Sequence, residues 1–228
     1  MKKAVVLLSG GLDSTVTLAY ALSKGREVIP LSFRYGQRHS RELEAAMAVV
    51  EHYGLENHVI IDLDLRAFRK SALTSKEVKV PKREDVKEIR DGIPITYVPA
   101  RNIIFLSIAA GIAETEGARE VFIGANSIDY SGYPDCRPEF FEAFEEALKK
   151  GTKAGVEGKG IKIKHPILRM TKAKIVHLGK ELGAPLKLTW SCYEGGAKAC
   201  GKCDSCLLRL KGFAEAGYKD EIEYEVAE

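Results

Sequence analysis

Side-chain amides are scarce in this chain of 228 residues: Gln37 is the single glutamine, and Asn57, Asn102 and Asn126 are the only asparagines. With abundant Lys and Glu, this bias is typical of hyperthermophile proteins. Long apolar runs are also lacking, and the short apolar run near the start has no small-residue cleavage pattern after it. We therefore expect neither a membrane span nor a secretory signal, and predict a cytoplasmic protein.

Neither sign of charge dominates, because 35 Lys and Arg residues against 32 Asp and Glu residues leave a formal net charge of +3 at pH 7. A dedicated nucleic-acid binder carries a strongly basic face, so we expect a nucleotide partner and no direct contact with nucleic acid. A hydrophobic content of 45% over this length allows one sizeable core, with at most a small appended module.

The first loop is the strongest local feature of the chain. Residues 9–15 have the sequence SGGLDST, after an apolar run at 4–8 and before a longer periodic segment at 16–22. This pattern predicts a strand, a tight turn and a helix that Ser14 or Thr15 caps. Two glycines let the backbone approach a ligand closely, and the helix start favours an anion. The loop is therefore a candidate phosphate site, unless it is an ordinary glycine-rich turn.

This stretch is neither the G-x-x-x-x-G-K-[ST] of a Walker loop nor the G-x-G-x-x-G of dinucleotide folds. It resembles the pyrophosphate-binding (PP) loop of the ATP pyrophosphatases, adenylating enzymes with an SGGxDS signature. The resemblance implies that the loop grips the β and γ phosphates, so that a nucleophile attacks the α phosphorus and becomes adenylated.

Short apolar runs alternate with longer amphipathic ones along the chain. Strands are expected at residues 4–8, 27–33, 59–63, 119–123 and 161–163, and helices at 39–53, 103–113, 138–149, 172–182 and 205–216. Such alternation predicts an α/β fold with a doubly wound, Rossmann-like parallel sheet. We expect a PP-loop domain over residues 1–185, of the adenine nucleotide alpha hydrolase-like type, and a small C-terminal zinc-binding segment over 186–228 packed on it.

Two stretches fit this alternation poorly. Residues 69–91 are highly charged, and are expected to form an insertion or mobile flap unless they are a solvated connection. Residues 151–160 contain four glycines and are expected to form a flexible loop.

Four of the five cysteines cluster near the C-terminus: Cys192, Cys200, Cys203 and Cys206. In a cytoplasmic chain such spacing indicates a metal more often than disulfides. Four thiolates suit a closed, structural, tetrahedral zinc site. An iron–sulfur cluster is the alternative, although the C-x-x-x-C-P continuation of ferredoxins is absent. The fifth cysteine, Cys136, is expected to be an inert loop thiol.

A long polar loop follows the fourth predicted strand and contains Asp129, Tyr133, Asp135 and Arg137. Its carboxylates could hold Mg²⁺ or accept hydrogen bonds from a guanine-like edge, a tyrosine could stack on a flat ring, and the arginine could bind a carboxylate. The alternative is a connection whose polar residues satisfy its own backbone. Beside a phosphate loop, substrate binding is favoured.

The combination of SGGLDST, FRYGQRHSRE, VPARN, GANSIDYSGYPDCRPEF, SCYEGG and CGKCDSCLLR resembles the 7-cyano-7-deazaguanine synthase family over nearly the whole chain. The resemblance implies a Rossmann-like homodimer, with one zinc on the four clustered cysteines. It also implies conversion of 7-carboxy-7-deazaguanine, ammonia and ATP to the nitrile that precedes queuosine and archaeosine. The ATP-binding positions that it implies are Leu8, Ser9, Gly10, Gly11, Leu12, Asp13, Ser14, Thr15, Val16, Thr17 and Leu18.

Two further roles are expected for catalysis. Asp13 orients the loop or lies in a Mg²⁺ shell, because a bare carboxylate would repel phosphate. Arg101 is expected to stabilise charge on the α phosphate or on the substrate carboxylate, rather than to be a surface arginine at a helix start.

Two other functions stay open on sequence grounds. One is a tRNA thiolase of the same superfamily, although a separate basic RNA-binding domain is lacking. The other is a non-catalytic nucleotide sensor or zinc-dependent interaction module. A glutamine-dependent enzyme is disfavoured because there is no room for an amidotransferase domain, so free ammonia or a partner would supply nitrogen.

Overall fold

A computed structural model describes residues 2–68, 70–89, 92–128 and 132–225. Its five strands are β1 (Lys2–Leu7), β2 (Arg26–Arg34), β3 (Val59–Asp62), β4 (Glu120–Phe122) and β5 (Lys162–Lys164). Its α-helices are α1 (Leu12–Ser23), α2 (Arg41–His52), α3 (Arg101–Thr115), α4 (Pro138–Gly151), α5 (Lys153–Val156), α6 (Lys172–Glu181) and α7 (Asp204–Glu215). None of the helices in these ranges has the length and apolar character needed to span a bilayer.

The strands form one parallel sheet in the order β3-β2-β1-β4-β5. The predicted parallel, doubly wound α/β class is therefore confirmed. The central strand β1 pairs with β2 on one side and with β4 on the other, so that Val5 lies opposite both Ile29 and Val121. The order reverses between β1 and β4, and ligands of such sheets bind at this switch point, beyond the carboxyl ends of the strands.

Alternate residues of β1 enter different cores, because side chains of a strand point alternately to its two faces. Val5 packs with Leu106 of α3 and Phe141 of α4 on one face. Val6 packs with Leu18 of α1 on the other face. Both faces of the sheet are covered, which explains why β1 and β2 appear in the sequence as nearly continuous apolar runs.

Helices α6 and α7 extend the second layer around α1. Val16 of α1, Ile175 of α6 and Phe213 of α7 are buried in one shared cluster. Helix α6 begins as the sequence predicts, since the Thr171 hydroxyl accepts a hydrogen bond from the backbone N–H of Lys174.

Two local predictions are wrong. Helix α1 begins at Leu12 after Gly11, and no side chain caps it; the Ser14 hydroxyl instead donates to the Gly11 carbonyl, 3.1 Å away. The glycine-rich stretch at 151–160 is not a plain loop, because it contains α5, which the Thr152 side chain caps at Gly155 N–H. The Ala154 N–H is also bonded to the Glu114 carboxylate of α3 at 2.6 Å, which ties this stretch to the domain.

The charged stretch also differs from a solvated flap over its described part, residues 70–89. Ala72 and Val80 are buried in the same cluster as the four C-terminal cysteines. Arg38 fixes the stretch by donating to the carbonyls of Ala72, Ser75 and Val78 at 2.9–3.2 Å. This part of the chain therefore packs on the C-terminal segment.

Candidate active site

A cavity of about 280 Å³ opens at the carboxyl ends of β1, β2 and β4, at the switch point of the sheet. Its walls come from the loop after β1, the first turns of α2, α3 and α6, and the segments that follow β4 and precede α7. The lining mixes aromatic rings, such as those of Phe105 and Tyr133, with charged groups such as Asp13 and Arg101. A concave site of this kind suits a flat, polar ligand with an anionic end.

Close backbone packing against α2 fixes the conformation of the loop after β1. Gly10 has φ +83°, and a Cβ there would lie 2.1 Å from the Glu42 carbonyl oxygen and 2.5 Å from Ala46 N. Only glycine fits, because both the left-handed backbone and the contact with α2 exclude a side chain. The Ser9 N–H donates to the Ser14 hydroxyl at 3.2 Å, which closes the loop on the first turn of α1.

A second glycine brings the loop after β4 against the same helix. A Cβ on Gly124 would lie 2.9 Å from the backbone nitrogen of Ser14. The positive end of α1 and the free N–H groups of its first turn therefore face the cavity between β1 and β4. This arrangement is chemically suited to an anion, and ATP binding at residues 8–18 stays a prediction.

Asp13 lies in the first turn of α1 and its carboxylate is ion-paired with Lys172. The Lys172 Nζ is 2.9 Å and 2.8 Å from the two carboxylate oxygens, and both side chains line the cavity. Lys172 has room for this contact because α7 carries Gly212 beside it; a Cβ there would be 2.3 Å from Lys172 Cγ. The ammonium group of Lys172 therefore lies next to the loop, where it offsets the negative charge of Asp13.

Arg101 begins α3 and points into the cavity beside Tyr35. Its Nη1 is 3.5 Å from the Tyr35 hydroxyl, and the guanidinium is 5.9 Å from the centre of that ring. Burial opposes its charge, but Tyr35, Tyr133, Asp135 and Glu42 together raise the pKa of Arg101 above its usual range. Burial raises the pKa of Tyr35 to about 12, against the pull of Arg101. Arg101 is therefore a permanent cation in a half-enclosed site, whose role in catalysis remains a prediction.

The predicted substrate residues Tyr133 and Asp135 have different surroundings in the structure. Tyr133 lines the cavity, and its hydroxyl is 2.8 Å from that of Thr96. Asp135 is buried, and its carboxylate accepts from the Asn102 N–H at the start of α3, 3.2 Å away. Burial raises the Asp135 pKa, against this hydrogen bond and the charge of Arg101. The carboxylate of Asp135 thus serves the fold, whatever else it does.

Of the remaining predicted substrate residues, the structure describes Arg137, and this residue is not brought to the cavity. Arg137 is exposed at the start of α4 and does not line it. Asp129 lies outside the described residues.

Sequence reasoning overlooked three charged residues of the cavity lining, of which Arg209 belongs to a buried ion pair with Asp220. Glu42 is in the first turn of α2 and Lys172 in the first turn of α6, and both side chains face the cavity. Glu42 falls inside the FRYGQRHSRE motif, but its chemistry depends on α2 packing against Gly10, which the motif does not reveal.

The four clustered cysteines are all buried and unpaired by disulfides. Their sulfur atoms all lie within 4.8 Å of one another. A tetrahedral zinc with Zn–S bonds of about 2.3 Å would need sulfur separations of roughly 3.8 Å, which lies within this limit. Backbone N–H groups already point at two sulfurs: those of Glu194 and Cys200 at Cys192, and that of Cys203 at Cys200, at 3.3–3.4 Å. Donors of this kind stabilise bound thiolates, so the residues fit a metal.

Charged and backbone contacts hold the cysteine cluster to residues 70–89. Arg83 Nε is 2.7 Å from the carboxylate of Asp204, a side chain that is 5% exposed. The backbone N–H of Arg83 donates to the Lys202 carbonyl at 2.8 Å. Trp190, beside the cluster, donates from its backbone N–H to the Gly10 carbonyl at 2.9 Å. The segment that carries the cysteine cluster therefore contacts the loop after β1 directly.

The parallel sheet, the glycine loop at its switch point and the appended four-cysteine cluster define a nucleotide-binding α/β protein of the PP-loop type. The sequence profile of one family, described as "Queuosine biosynthesis protein QueC", matches residues 3–217. The chain belongs to this family.

Curated relatives agree with that assignment. A 7-cyano-7-deazaguanine synthase of Picrophilus torridus is 63% identical over 225 residues, which is 99% of this chain and 92% of the relative. The synthase of Thermoplasma acidophilum is 59% identical, over 98% of this chain and 92% of its own length. Among solved structures, a 4-thiouridine synthetase in complex with RNA and ATP aligns with 80% of this chain and 41% of its own, at 23% identity and a TM-score of 0.49. That likeness is too remote to bear on function.

Proposed function

We propose that this chain is a C–N bond-forming ligase that converts 7-carboxy-7-deazaguanine, ammonia and ATP into 7-cyano-7-deazaguanine, a precursor of queuosine and archaeosine in tRNA. The main support is the family membership together with a curated relative, 63% identical across the chain, that is named 7-cyano-7-deazaguanine synthase. The cavity adds a physical reason, because it combines an anion-binding loop with aromatic walls and the permanent cation of Arg101.

The reaction needs two activations, one for each of the two carboxylate oxygens that are lost. Attack of the substrate carboxylate on the α phosphorus expels pyrophosphate and gives an acyl adenylate; ammonia then displaces AMP to give the amide. A second adenylation, on the amide oxygen, and loss of AMP give the nitrile. The protein positions the reactants and stabilises charge. The loop at residues 9–15 would hold the departing pyrophosphate, and Arg101 the carboxylate or the α phosphate.

Asp13 and Lys172 complete the phosphate side of the site. As long as they are paired, the carboxylate does not repel phosphate, and the ammonium group lies beside the loop. Mg²⁺ bound through the nucleotide would screen phosphate charge, and Asp13 is the carboxylate of the loop that could join its shell. Tyr133 is the favoured substrate contact, whereas Asp135 and Arg137 would have to act through the loop that carries them.

The C-terminal cysteines are proposed to hold a structural zinc that cross-links residues 186–228 to the PP-loop domain. Four sulfur ligands leave no position for water, so such a metal supports folding without entering the reaction. We further propose a cytoplasmic homodimer with free ammonia as the nitrogen donor, on the family resemblance alone. Light scattering on the purified protein would measure the assembly.

The test of function is mass spectrometry after incubation with ATP, Mg²⁺, an ammonium salt and 7-carboxy-7-deazaguanine. The wild type should release the nitrile with AMP and pyrophosphate, and Asp13→Asn should lose most turnover. Asp62→Asn is the control, because that side chain is 71% exposed at the end of β3. Intact ATP, or cleavage of ATP without change to the deazaguanine, would overturn the proposal.

A further inference from the structure

Glu42 is a carboxylate of the cavity lining that has no ion-pair partner among the residues the structure describes. It lies partly buried in the first turn of α2, and its side chain lines the cavity. Within the described ranges, no hydrogen bond or ion pair reaches its carboxylate, whereas Asp13, the other acidic group of the lining, is held by Lys172. A partly buried acid without a partner is costly to the fold, which points to a purpose in the site.

Glu42 lies in the cavity between the two groups that are proposed to hold the reactants, the loop after β1 and Arg101. Its backbone packs against Gly10, so the side chain begins beside the loop that would hold the phosphates. Arg101, which begins α3, attracts the carboxylate from another wall, but no ion pair joins the two groups. In the proposed reaction the carbon that is attacked would lie between the loop that holds the phosphates and Arg101, and Glu42 lines the same cavity.

The protonation behaviour of Glu42 suits proton transfer. Burial raises its pKa from 4.5 to about 7, and Arg101 limits the rise. Arg101 is the charged group that acts on it, and the other charged and titratable groups that line the same cavity are Asp13, Tyr35, Tyr133, Cys136, Lys172, Tyr193 and Arg209. An acid that titrates close to the working pH is the most effective proton acceptor.

Other titratable groups of the lining suit this task poorly. The Tyr35 hydroxyl and the Cys136 thiol both have their pKa raised to about 12, mainly by burial, so both stay protonated. The Asp13 carboxylate is occupied by Lys172.

We propose that Glu42 accepts the proton released when ammonia attacks the activated carboxyl carbon, an inference that rests on the proposed function. In this step the ammonia nitrogen forms the C–N bond, and the C–O bond to phosphate breaks with its electron pair leaving on AMP. The nitrogen gives up one proton to the Glu42 carboxylate, which passes it to water. The products are the amide, AMP and a proton, so the step balances without another reactant.

The test separates adenylation from amide formation. Exchange of labelled pyrophosphate into ATP, measured with the acid substrate and without ammonia, reports adenylation; mass spectrometry with ammonium reports the amide and the nitrile. In Glu42→Gln, exchange should stay within about twofold of wild type, while amide formation falls by roughly 10²–10⁴-fold, the usual worth of a general base. Glu51→Gln, an exposed position on the same helix, should change neither rate.

Chemical rescue provides an independent readout. Added formate should restore part of the amide-forming rate of Glu42→Ala, because a free carboxylate can fill the space and take the proton; a merely structural side chain would not be replaced in this way. Equal loss of exchange and amide formation, or an unchanged amide rate in Glu42→Gln, would overturn the role of Glu42. The proposed function fails separately, if wild-type protein makes neither amide nor nitrile.

Discussion

Arg209 of α7 is the centre of a fully buried ion-pair network, and its removal should be among the most destabilising changes in the chain. Its side chain is 2% exposed and donates from Nε and Nη2 to the two Asp220 oxygens at 2.6 Å and 3.0 Å. Nη1 reaches the hydroxyls of Thr189 and Ser191 at 2.8 Å and 3.1 Å. The hydroxyl of Tyr224 donates to the same Asp220 carboxylate at 2.6 Å.

Arg209→Met keeps the side-chain volume but leaves Asp220 as a buried charge without its cation. Breaking a buried pair in this way costs about 3–5 kcal/mol of the free energy of unfolding. In a chain of this length each kcal/mol lowers the melting temperature by about 2–4 °C, so the expected loss is roughly 6–20 °C. Circular dichroism on heating and urea titration would measure it. The control is Lys180→Met, which removes an ion pair with Glu221, 50% exposed, and should cost at most about 1 kcal/mol.

A second substitution tests whether the stranded charge is the cause. Asp220→Asn added to Arg209→Met should restore part of the lost stability, because the unpaired carboxylate is gone. The reasoning is refuted if Arg209→Met is no more destabilising than Lys180→Met, or if the double variant loses the sum of the two single losses.

Three further predictions concern the metal, the loop and the pH response. Stripping the metal with a chelator should raise amide hydrogen exchange at residues 70–89 and 186–225 and leave the central strands protected, because these segments pack around the cysteines. Gly10→Ala should abolish ATP binding in calorimetry, since its Cβ would lie 2.1 Å from the Glu42 carbonyl; Gly25→Ala, also at positive φ but with open space, should bind ATP normally. The pKa of Glu42 is higher in the folded protein, at about 7, than its ordinary value of 4.5, so the folded state favours the protonated carboxyl group. The resulting contribution to the free energy of unfolding is fully present below pH 4.5 and is lost as the pH rises through about 7. Urea midpoints of wild type should therefore fall over that window relative to those of Glu42→Gln.

Each of these predictions has a contrary result. Uniform exchange along the chain after chelation would mean that the metal supports the whole fold. Normal ATP affinity in Gly10→Ala would remove the loop from the nucleotide site. Parallel pH profiles of wild type and Glu42→Gln would mean that Glu42 is well solvated in the folded protein.

The sheet could be predicted because its signals are local. The strands are apolar runs bounded by glycine or charge, and each predicted strand lies within two residues of an observed one at both ends. The charged stretch could not be placed, because its anchoring depends on isolated apolar residues, Ala72 and Val80, that only the fold brings to the cysteines. Composition reports the solvated majority of such a stretch and conceals the few residues that pack.

The candidate site shows the same contrast between features that are local in the sequence and contacts between distant residues. The phosphate loop and the cysteines are close in sequence, so spacing alone indicates their chemistry. Lys172 is 159 residues from Asp13, and nothing near it in the sequence indicates an ion pair. Asp135 was the opposite case: its residue type suits a ligand, but its carboxylate accepts a backbone N–H at the start of α3.

Helix α7 connects the cysteine cluster to the cavity, although the cysteines themselves do not take part in the proposed reaction. Cys203 precedes the first residue of α7 and Cys206 lies in its first turn, so a bound metal would fix where this helix starts. Two turns later, Gly212 leaves the space that Lys172 needs to reach Asp13. A shift of α7 would therefore move the wall against which Lys172 is held, at the edge of the phosphate loop. A metal bound in this cluster would therefore act on the reaction through the position of a helix.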